Sequence, residues 1–268
     1  MDFRIIKYPR TPHLEGSRLG PGDEDLSQSP FSAVLSRNIV IEEKIDGANS
    51  AVSFDANGGL LLQSRGHYLD GGYRERHYNL LKQWANIHKE LFYSVLGSRY
   101  IMYGEWMYAK HTVFYDALPD YFMEFDIYDR ENQVFLDTDR RRELTDRIGI
   151  ISSVPVLGRG VYRKAKDILS YIGDSNYITD RHLEVLKRLA ERQGLDVESQ
   201  LRETDPSKTM EGIYIKVEEG GIVTERYKYV RASFLQCVLE SKSHWQKRPI
   251  VPNQLADNDV LRGANEIF

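Results

Sequence analysis

The sequence of 268 residues contains a single cysteine, Cys237, so an intrachain disulfide is excluded. A chain without disulfides is typical of a reducing compartment, and we expect a cytoplasmic protein. No apolar run approaches the roughly 20 residues that cross a bilayer, and the first ten residues lack the apolar core of a signal peptide. We therefore expect no membrane partner. Because Cys237 lies in the apolar run 234–239, the sequence predicts a small buried side chain there.

An excess of positive charge is also missing. The chain has 36 Lys and Arg against 40 Asp and Glu, a formal net charge of −4. A global basic signature of nucleic-acid binding is therefore absent, and any such site must be a local basic patch. The length suits one large domain with at most a small appendage. Short strand-like runs with helical segments inserted between them predict an α+β fold.

The stretch from residue 39 to residue 54 organises the rest of the chain. An apolar run leads to Glu43 and Lys44, Gly47 follows three residues later, and a second apolar run begins soon after. This pattern predicts a strand, a tight loop and a second strand, with Lys44 at the end of the first strand. A lysine in such a position can act as a nucleophile once it has lost its proton. The ordinary alternative is a surface lysine beside a turn.

The remaining elements are predicted from periodicity and from turn residues. We expect a helix over 78–96, strands over 3–7, 100–106 and 121–128, hairpins over 51–64 and 210–230, a long loop over 11–30, and a helical insertion over about 129–210 that holds helices over 139–148 and 179–193. The run Arg140-Arg141-Arg142 is interleaved with acidic residues, which predicts a solvated helix face.

Charged residues follow the ends of several predicted strands. Because site residues at strand ends share one rim of a sheet, side chains that are distant in sequence can converge there. Cations neutralise phosphates, carboxylates hold a divalent metal ion and an aromatic ring stacks on a base, so the mixture suits a nucleoside triphosphate with a metal. The residues in these positions are Lys44, Arg65, Glu105, Glu211, Lys216, Arg226 and Lys228.

In this order the motifs resemble those of the covalent nucleotidyltransferases, which comprise ATP-dependent RNA and DNA ligases and mRNA capping enzymes. The six segments are Glu43-Lys44-Ile45-Asp46-Gly47-Ala48-Asn49, Ser64-Arg65-Gly66, Tyr103-Gly104-Glu105, Phe122-Met123-Glu124-Phe125-Asp126-Ile127, Glu211-Gly212-Ile213-Tyr214-Ile215-Lys216 and Arg226-Tyr227-Lys228. Asn49 and the short last motif are most similar to the ATP-dependent RNA ligase family, in the branch of the second RNA ligase of T-even phages. The resemblance implies a nucleotidyltransferase domain of antiparallel sheets over 1–231, a short tail over 232–268, and no C-terminal OB domain.

The resemblance implies ligation in three steps, in RNA repair. Lys44 attacks the α-phosphate of ATP, AMP passes to a 5′-phosphate, and a 3′-hydroxyl then displaces AMP to join the strands. Mg²⁺ or Mn²⁺ would be the metal ion, and Lys228 with that ion would lower the pKa of Lys44. An end-processing kinase or phosphatase, or a homodimer, would be the partner. RNA, as in a nicked duplex, would be the substrate.

The resemblance also implies a role for each matched residue. The catalytic residues would be Lys44, Lys228, Glu211 and Lys216; the ATP or AMP contacts would be Glu43 at the adenine edge, Arg65, Glu105, Phe125 (or Phe122) on the base, Asn49 at the nucleic-acid step and Arg226; and the metal ligands would be Glu211 and Asp46. Arg226 stands where the family has a lysine, and either Arg226 or Arg231 could pair with Lys228.

Two other functions fit the same fold: a DNA nick ligase and a catalytically silent nucleic-acid-binding module. The intact Lys44, Glu105, Glu211 and Lys228 argue against the silent module. The 37 residues after Arg231 are too few for an OB barrel, which argues against a DNA ligase or a capping enzyme. We expect weak nucleic-acid binding by one local basic face, formed by the Lys44 rim with Arg74, Arg76, His77, Lys242, Lys247 and Arg248.

Overall fold

The computed structural model describes residues 4–19, 27–240 and 248–256. The strands are β1 (His13–Leu14), β2 (Gln28–Ser29), β3 (Asn38–Lys44), β4 (Ala48–Phe54), β5 (Leu60–Ser64), β6 (Tyr100–Trp106), β7 (Phe122–Asp129), β8 (Val134–Leu136), β9 (Ser152–Ser153), β10 (Val156–Val161), β11 (Gly212–Glu219) and β12 (Ile222–Val230). The helices are α1 (Asn79–Ile87), α2 (Lys89–Leu96), α3 (Thr138–Ile148), α4 (Ala165–Leu169), α5 (His182–Arg192), α6 (Val197–Arg202) and α7 (Ala232–Glu240). Lys242, Lys247 and part of the predicted loop 11–30 lie outside the described residues.

The strands belong to one sheet whose main path runs β10-β3-β11-β12-β8-β7-β6-β4-β5. Neighbours along this path are antiparallel, and the parallel pairs involve the two-residue strands β1, β2 and β9. The predicted α+β class with antiparallel pairing is therefore confirmed. Both predicted hairpins, β4 with β5 and β11 with β12, are also present.

The sheet folds back on itself at the three-residue strand β8. In a flat sheet, β11 and β7 would be three strand spacings apart, about 14 Å. Instead the Lys216 ammonium on β11 lies 3.0 Å from the Asp126 carboxylate on β7. The half containing β3, β11 and β12 therefore faces the half containing β4, β6 and β7. The loop after Lys44 passes from one half to the other.

Apolar side chains cover the outer faces of both halves. A large core packs α1, α2 and α3 against β4, β6 and β7, and a second core lies on the face of β3 and β11 that carries Ile41 and Ile213. A smaller cluster around Tyr8 and Tyr103 fills part of the space between the halves. Charged side chains of the two inner faces meet in the rest of that space.

Several predicted elements need correction. The predicted helix over 78–96 is two helices, because His88 leaves helical geometry at φ −95° and ψ 11°. The predicted opening strand is wrong, since its described residues 4–7 have no regular structure. The segment 129–210 is not purely helical: β8, β9 and β10 lie within it and join the sheet. Cys237 is half-buried rather than buried.

Residues 248–256 are built into the domain rather than hanging from it. The buried amide of Asn253 donates to the Met107 carbonyl at 2.6 Å and accepts from the Tyr115 amide at 3.0 Å. Further backbone bonds join this segment to residues 108–118. The predicted tail therefore supports the loop that follows β6. Within the described part of the chain, no helix is long and apolar enough to cross a membrane.

Candidate active site

The loop after Lys44 lies against β6, and its glycine makes this approach possible. A Cβ at Gly47 would come within 2.6 Å of Met107 Sδ, 2.8 Å of Glu105 Cγ and 2.9 Å of the Trp106 carbonyl oxygen. A side chain at position 47 would therefore push the loop away from the strand. Glycine at this position brings the end of β3 beside Glu105.

Lys44 meets Glu211 at the same rim. Gly212 on β11 is the register partner of Lys44, so Glu211 stands just beyond the paired strands. Lys44 Nζ donates to Glu211 Oε2 at 2.7 Å. A Cβ at Gly212 would lie 1.9 Å from the Tyr229 carbonyl oxygen, so glycine is required there too. The predicted convergence of Lys44 and Glu211 is present in the structure.

Carboxylates rather than cations dominate the surroundings of Lys44. Burial lowers the pKa of the Lys44 ammonium, but the charges of Glu211, Glu105 and Asp46 more than offset this, and the net pKa is raised. The protein's own carboxylates thus raise the pKa of Lys44, and a lowering of this pKa by Lys228 together with a metal ion stays a prediction. Lys44 rests as an ammonium held by Glu211.

The carboxyl groups around Lys44 outnumber the cation. Burial raises the pKa of Glu105 to about 8 and that of Glu211 to about 7, while Lys44 pulls both values down. Such a group of carboxyls is short of positive charge. A magnesium ion is usually held by one or two carboxylates together with substrate phosphates. The donor set fits that binding mode, although no group of three or more metal-binding side chains is assembled among the described residues.

Asp46, a predicted metal ligand, also holds the loop after β6. Its Oδ2 accepts hydrogen bonds from the Thr112 and Val113 amides at 2.7 and 2.9 Å. Its Oδ1 lies 3.7 Å from His111 Nδ1. Burial raises the pKa of Asp46, but His111 and the two amides outweigh burial and lower it overall. Asp46 is therefore an anion that holds this loop through Oδ2, and its Oδ1 has the longer contact.

Three other predicted residues lie near the carboxylates around Lys44. Arg65 is exposed beyond β5 and lowers the pKa of Glu105. Asn49 on β4 is the register partner of Glu105, so the two side chains are neighbours. Lys228 on β12 lowers the pKa of Glu211 by its charge. The structure therefore brings Arg65, Asn49 and Lys228 to the carboxylates around Lys44.

Lys216 lies in a separate cluster. Its side chain has no exposed surface, and its ammonium lies 2.9 Å from Glu42 and 3.0 Å from Asp126. It also donates to the Phe125 carbonyl. The predicted catalytic lysine is thus committed to carboxylates between the two halves of the sheet. Through this last hydrogen bond Lys216 holds the backbone of the segment that carries Phe125.

Arg226 belongs to the same cluster as Lys216. The two residues are register partners, and the Arg226 guanidinium lies 3.6 Å from the Asp126 carboxylate. It stacks 4.1 Å above the Phe135 ring. Arg231 instead follows β12 and bonds to Asp205. Of the two arginines, Arg226 is therefore the one that shares a strand with Lys228, at alternate positions on one face.

An aromatic pair lies next to this cluster. The ring of Phe125 is half-buried and meets the ring of Tyr8 edge to face, with centroids 5.0 Å apart. The Tyr8 hydroxyl donates to Asp126 at 2.5 Å. Phe122, the alternative base-stacking residue, is fully buried against Trp84 and belongs to the core. Tyr8 was missed because its neighbours in sequence match no motif.

Glu43 does not join Phe125. It is the register partner of Ile213 and points to the face opposite that of Glu42 and Lys216. Burial there outweighs the opposing hydrogen bond with Ser175, and the pKa of Glu43 is raised to about 7. The prediction that Glu43 and Phe125 contact one adenine is therefore not what the geometry favours.

The fold and this lysine-centred rim define a nucleotidyltransferase domain. The sequence model of the RNA ligase family matches residues 37–230, and the chain belongs to that family. A comparison with curated proteins found no match.

Solved structures of similar fold include mutants of an RNA ligase of Naegleria gruberi. A mutant of that RNA ligase with ATP and Mn is 16% identical, with a TM-score of 0.55 over 86% of this chain and 58% of that chain. A second mutant, without ligand, is 16% identical, with a TM-score of 0.51 over 85% of this chain and 62% of that chain. This chain thus spans about three fifths of the length of those ligases.

Proposed function

We propose that the protein is an ATP-dependent RNA ligase that joins a 5′-phosphate to a 3′-hydroxyl through a lysyl-AMP and an AMP-capped polynucleotide, in RNA repair. One observation carries the proposal: Lys44 Nζ lies 2.7 Å from Glu211 Oε2 at a rim that also holds Glu105 and Lys228. Membership of the RNA ligase family supports it, and so does the binding of ATP and Mn to a ligase of similar fold.

In the first step, Lys44 Nζ forms a bond to the α-phosphorus of ATP as the bond to pyrophosphate breaks. The ammonium must first lose its proton. Glu211 Oε2 is at hydrogen-bond distance from Lys44 Nζ, so it is placed to take that proton. Mg²⁺ or Mn²⁺, held by Glu211 and Asp46 with phosphate oxygens, would neutralise charge on the leaving group.

The adenine would lie between the two halves of the sheet. Phe125 offers a half-buried ring, and Tyr8 with Asp126 closes the space behind it. Arg226 provides a buried guanidinium on the same side. Arg65 and Glu105 would hold the ribose and phosphate, because they meet at the rim beside Lys44.

Asn49 would act in the step on nucleic acid, and Lys228 would act at the transferring phosphate in self-adenylation. Asn49 lies beside Glu105, and Lys228 is close enough to Glu211 to lower its pKa. A cation at the transferring phosphate stabilises the charge that develops there. An end-processing kinase or phosphatase, or a second copy of the chain, would be the partner in repair. The likeness to the phage branch is part of this proposal.

The test uses the full chain with α-labelled ATP and Mg²⁺, followed by nicked duplexes that carry a 5′-phosphate. We expect covalent label on the protein and faster sealing when the 3′-hydroxyl strand ends in ribose than in deoxyribose. Equal sealing of both would favour a DNA nick ligase. Absence of label would favour a silent nucleic-acid-binding module.

A further inference from the structure

One fully buried charge comes from a helix outside the six motifs. Arg141 lies in the first turns of α3 and has no exposed surface, although its neighbour Arg142 is exposed. The prediction of a solvated face over 140–142 is therefore wrong at its central residue. A buried guanidinium is costly unless its donors are satisfied, so its partners explain its place.

Arg141 joins two carboxylates that belong to opposite halves of the sheet. Its Nη1 lies 3.1 and 2.9 Å from the two carboxylate oxygens of Glu124 on β7. Its Nη2 donates to Oε1 of Glu42 on β3. The second oxygen of Glu42, Oε2, lies 2.9 Å from the ammonium of Lys216. One guanidinium thus orients the carboxylate that holds Lys216.

The whole cluster is balanced in charge. It holds three carboxylates and three cations, and the most exposed of them has only 12% of its side chain accessible. The members come from β3, β7, β11, β12 and α3: Glu42, Glu124, Asp126, Arg141, Lys216 and Arg226. Removal of one member leaves a net charge in a site with little water, and the remaining groups must rearrange.

Helix α3 is anchored without Arg141. Thr138 donates from both its amide and its hydroxyl to Glu218, and the Asp137 carboxylate caps the helix at the Arg140 amide. Leu144 and Ile148 pack in the large core. The helix is thus held by other groups, and the buried arginine acts on the cluster between the halves.

We propose that Arg141 is a positioning residue for the nucleotide site: by fixing Glu42 and Glu124 it sets Lys216 and the Phe125–Asp126 segment in place. Glu42 is two residues from Lys44 on β3, and Glu124 directly precedes Phe125 on β7. The inference rests on the proposed function, because the position it sets is that of the groups around the base of ATP.

The effect of losing Arg141 falls on ATP binding more than on the maximal rate. In Arg141→Met, Glu42 and Glu124 lose the guanidinium that joins them, so the bonds that set Lys216 and the Phe125–Asp126 segment in place are lost whatever the charge balance. We expect the KM for ATP in self-adenylation to rise about tenfold or more, with a smaller change in the maximal rate. Arg142→Met removes an exposed arginine from the same helix and should leave KM unchanged.

A charge-balanced variant separates positioning from stability. Arg141→Met combined with Glu124→Gln removes one cation and one carboxylate, so we expect its thermal midpoint to recover toward that of the natural protein while KM stays high. Arg141→Lys keeps the charge but cannot span both carboxylates, and it should also raise KM. This variant decides the question if Arg141→Met does not fold.

The experiment measures label transfer from α-labelled ATP over a range of ATP concentrations, with thermal unfolding of each variant alongside. A raised KM in Arg141→Met and in the double variant, with a normal value in Arg142→Met, supports the inference. A normal KM in Arg141→Met or Arg141→Lys, or recovery of KM together with stability in the double variant, overturns it. Absence of label on the natural protein overturns the proposed function and this inference with it.

Discussion

The ammonium of Lys44 lies 2.7 Å from the carboxylate of Glu211, and this ion pair joins the end of β3 to the residue before β11. Because Lys44 pairs with Gly212 across the strands, the side chains of Lys44 and Glu211 lie at the same rim of the sheet. The pair leaves the lysine protonated until a change in its surroundings releases it. The formation of the neutral, reactive amine of Lys44 therefore depends on Glu211.

Glu211→Gln keeps the size of the side chain and removes its charge. We expect self-adenylation to fall at least about a hundredfold, because one preorganised charge at a phosphoryl-transfer site is worth roughly 3 kcal/mol. The measurement is the initial rate of label transfer from ATP. Glu219→Gln, at the exposed far end of the same strand, is the matched control. A near-normal rate in Glu211→Gln would show that this carboxylate has no part in the reaction.

Phe125 and Phe122 lie on one strand and should behave in opposite ways. Phe125→Ala removes the half-buried ring, and we expect the KM for ATP to rise about tenfold or more, since stacking of a base is worth about 1–3 kcal/mol. Phe122→Ala opens a cavity in the core and should lower the free energy of unfolding by about 3–5 kcal/mol. Urea unfolding and ATP titration of both variants check this. A larger KM effect in Phe122→Ala would reverse the assignment.

Asn49 separates the steps of the reaction. Asn49→Ala should reduce sealing of a pre-adenylated strand more than it reduces self-adenylation, because the proposed contact of Asn49 is with the nucleic acid. The two rates are measured on the same preparation, with Ser53→Ala on the same strand as the control. An equal loss in both rates would place Asn49 in the ATP site instead.

Much of the strand framework and of the Lys44 rim could be predicted from the sequence. Strand β6 and the hairpin of β11 and β12 follow from apolar alternation and glycine turns. The residues around Lys44 follow because motif residues at strand ends share a rim. A short sequence motif marks each of Lys44, Glu211 and Glu105, and the structure brings the three residues together.

The buried cluster could not be predicted in this way. Arg141 lies in a run of charges whose local pattern is that of a solvated face, and its burial depends on Glu42 and Glu124, which are distant in sequence. Tyr8 similarly reaches Asp126 across 118 positions. Periodicity reports which face of an element is apolar, but it does not report which charged groups meet between two halves of a folded sheet.

Asp129 gives the domain a pH-dependent contribution to stability. Burial raises its pKa, but the bonds from Arg99 and Asn132 outweigh burial and lower it to about 2. Since an unfolded aspartate titrates near pH 3.9, the contribution is fully present above about pH 4 and is lost as pH falls toward 2. We expect it to amount to about 1–2 kcal/mol at neutral pH.

The difference in unfolding free energy between the natural protein and Asp129→Asn measures this contribution. The difference should be largest at pH 6 and should shrink between about pH 4 and pH 2. Urea titrations at several pH values supply the numbers. A difference that stays constant over this range would mean that the pKa of Asp129 is the same in the folded and unfolded states.

The most direct test of the central claim is to map AMP on the protein after incubation with ATP and Mg²⁺. Mass spectrometry of the digested chain should place one AMP on Lys44. Lys44→Ala should keep its fold and acquire no AMP, yet still seal a pre-adenylated strand, because that step does not need the amine. AMP on any other residue, or undiminished labelling of Lys44→Ala, would contradict the account.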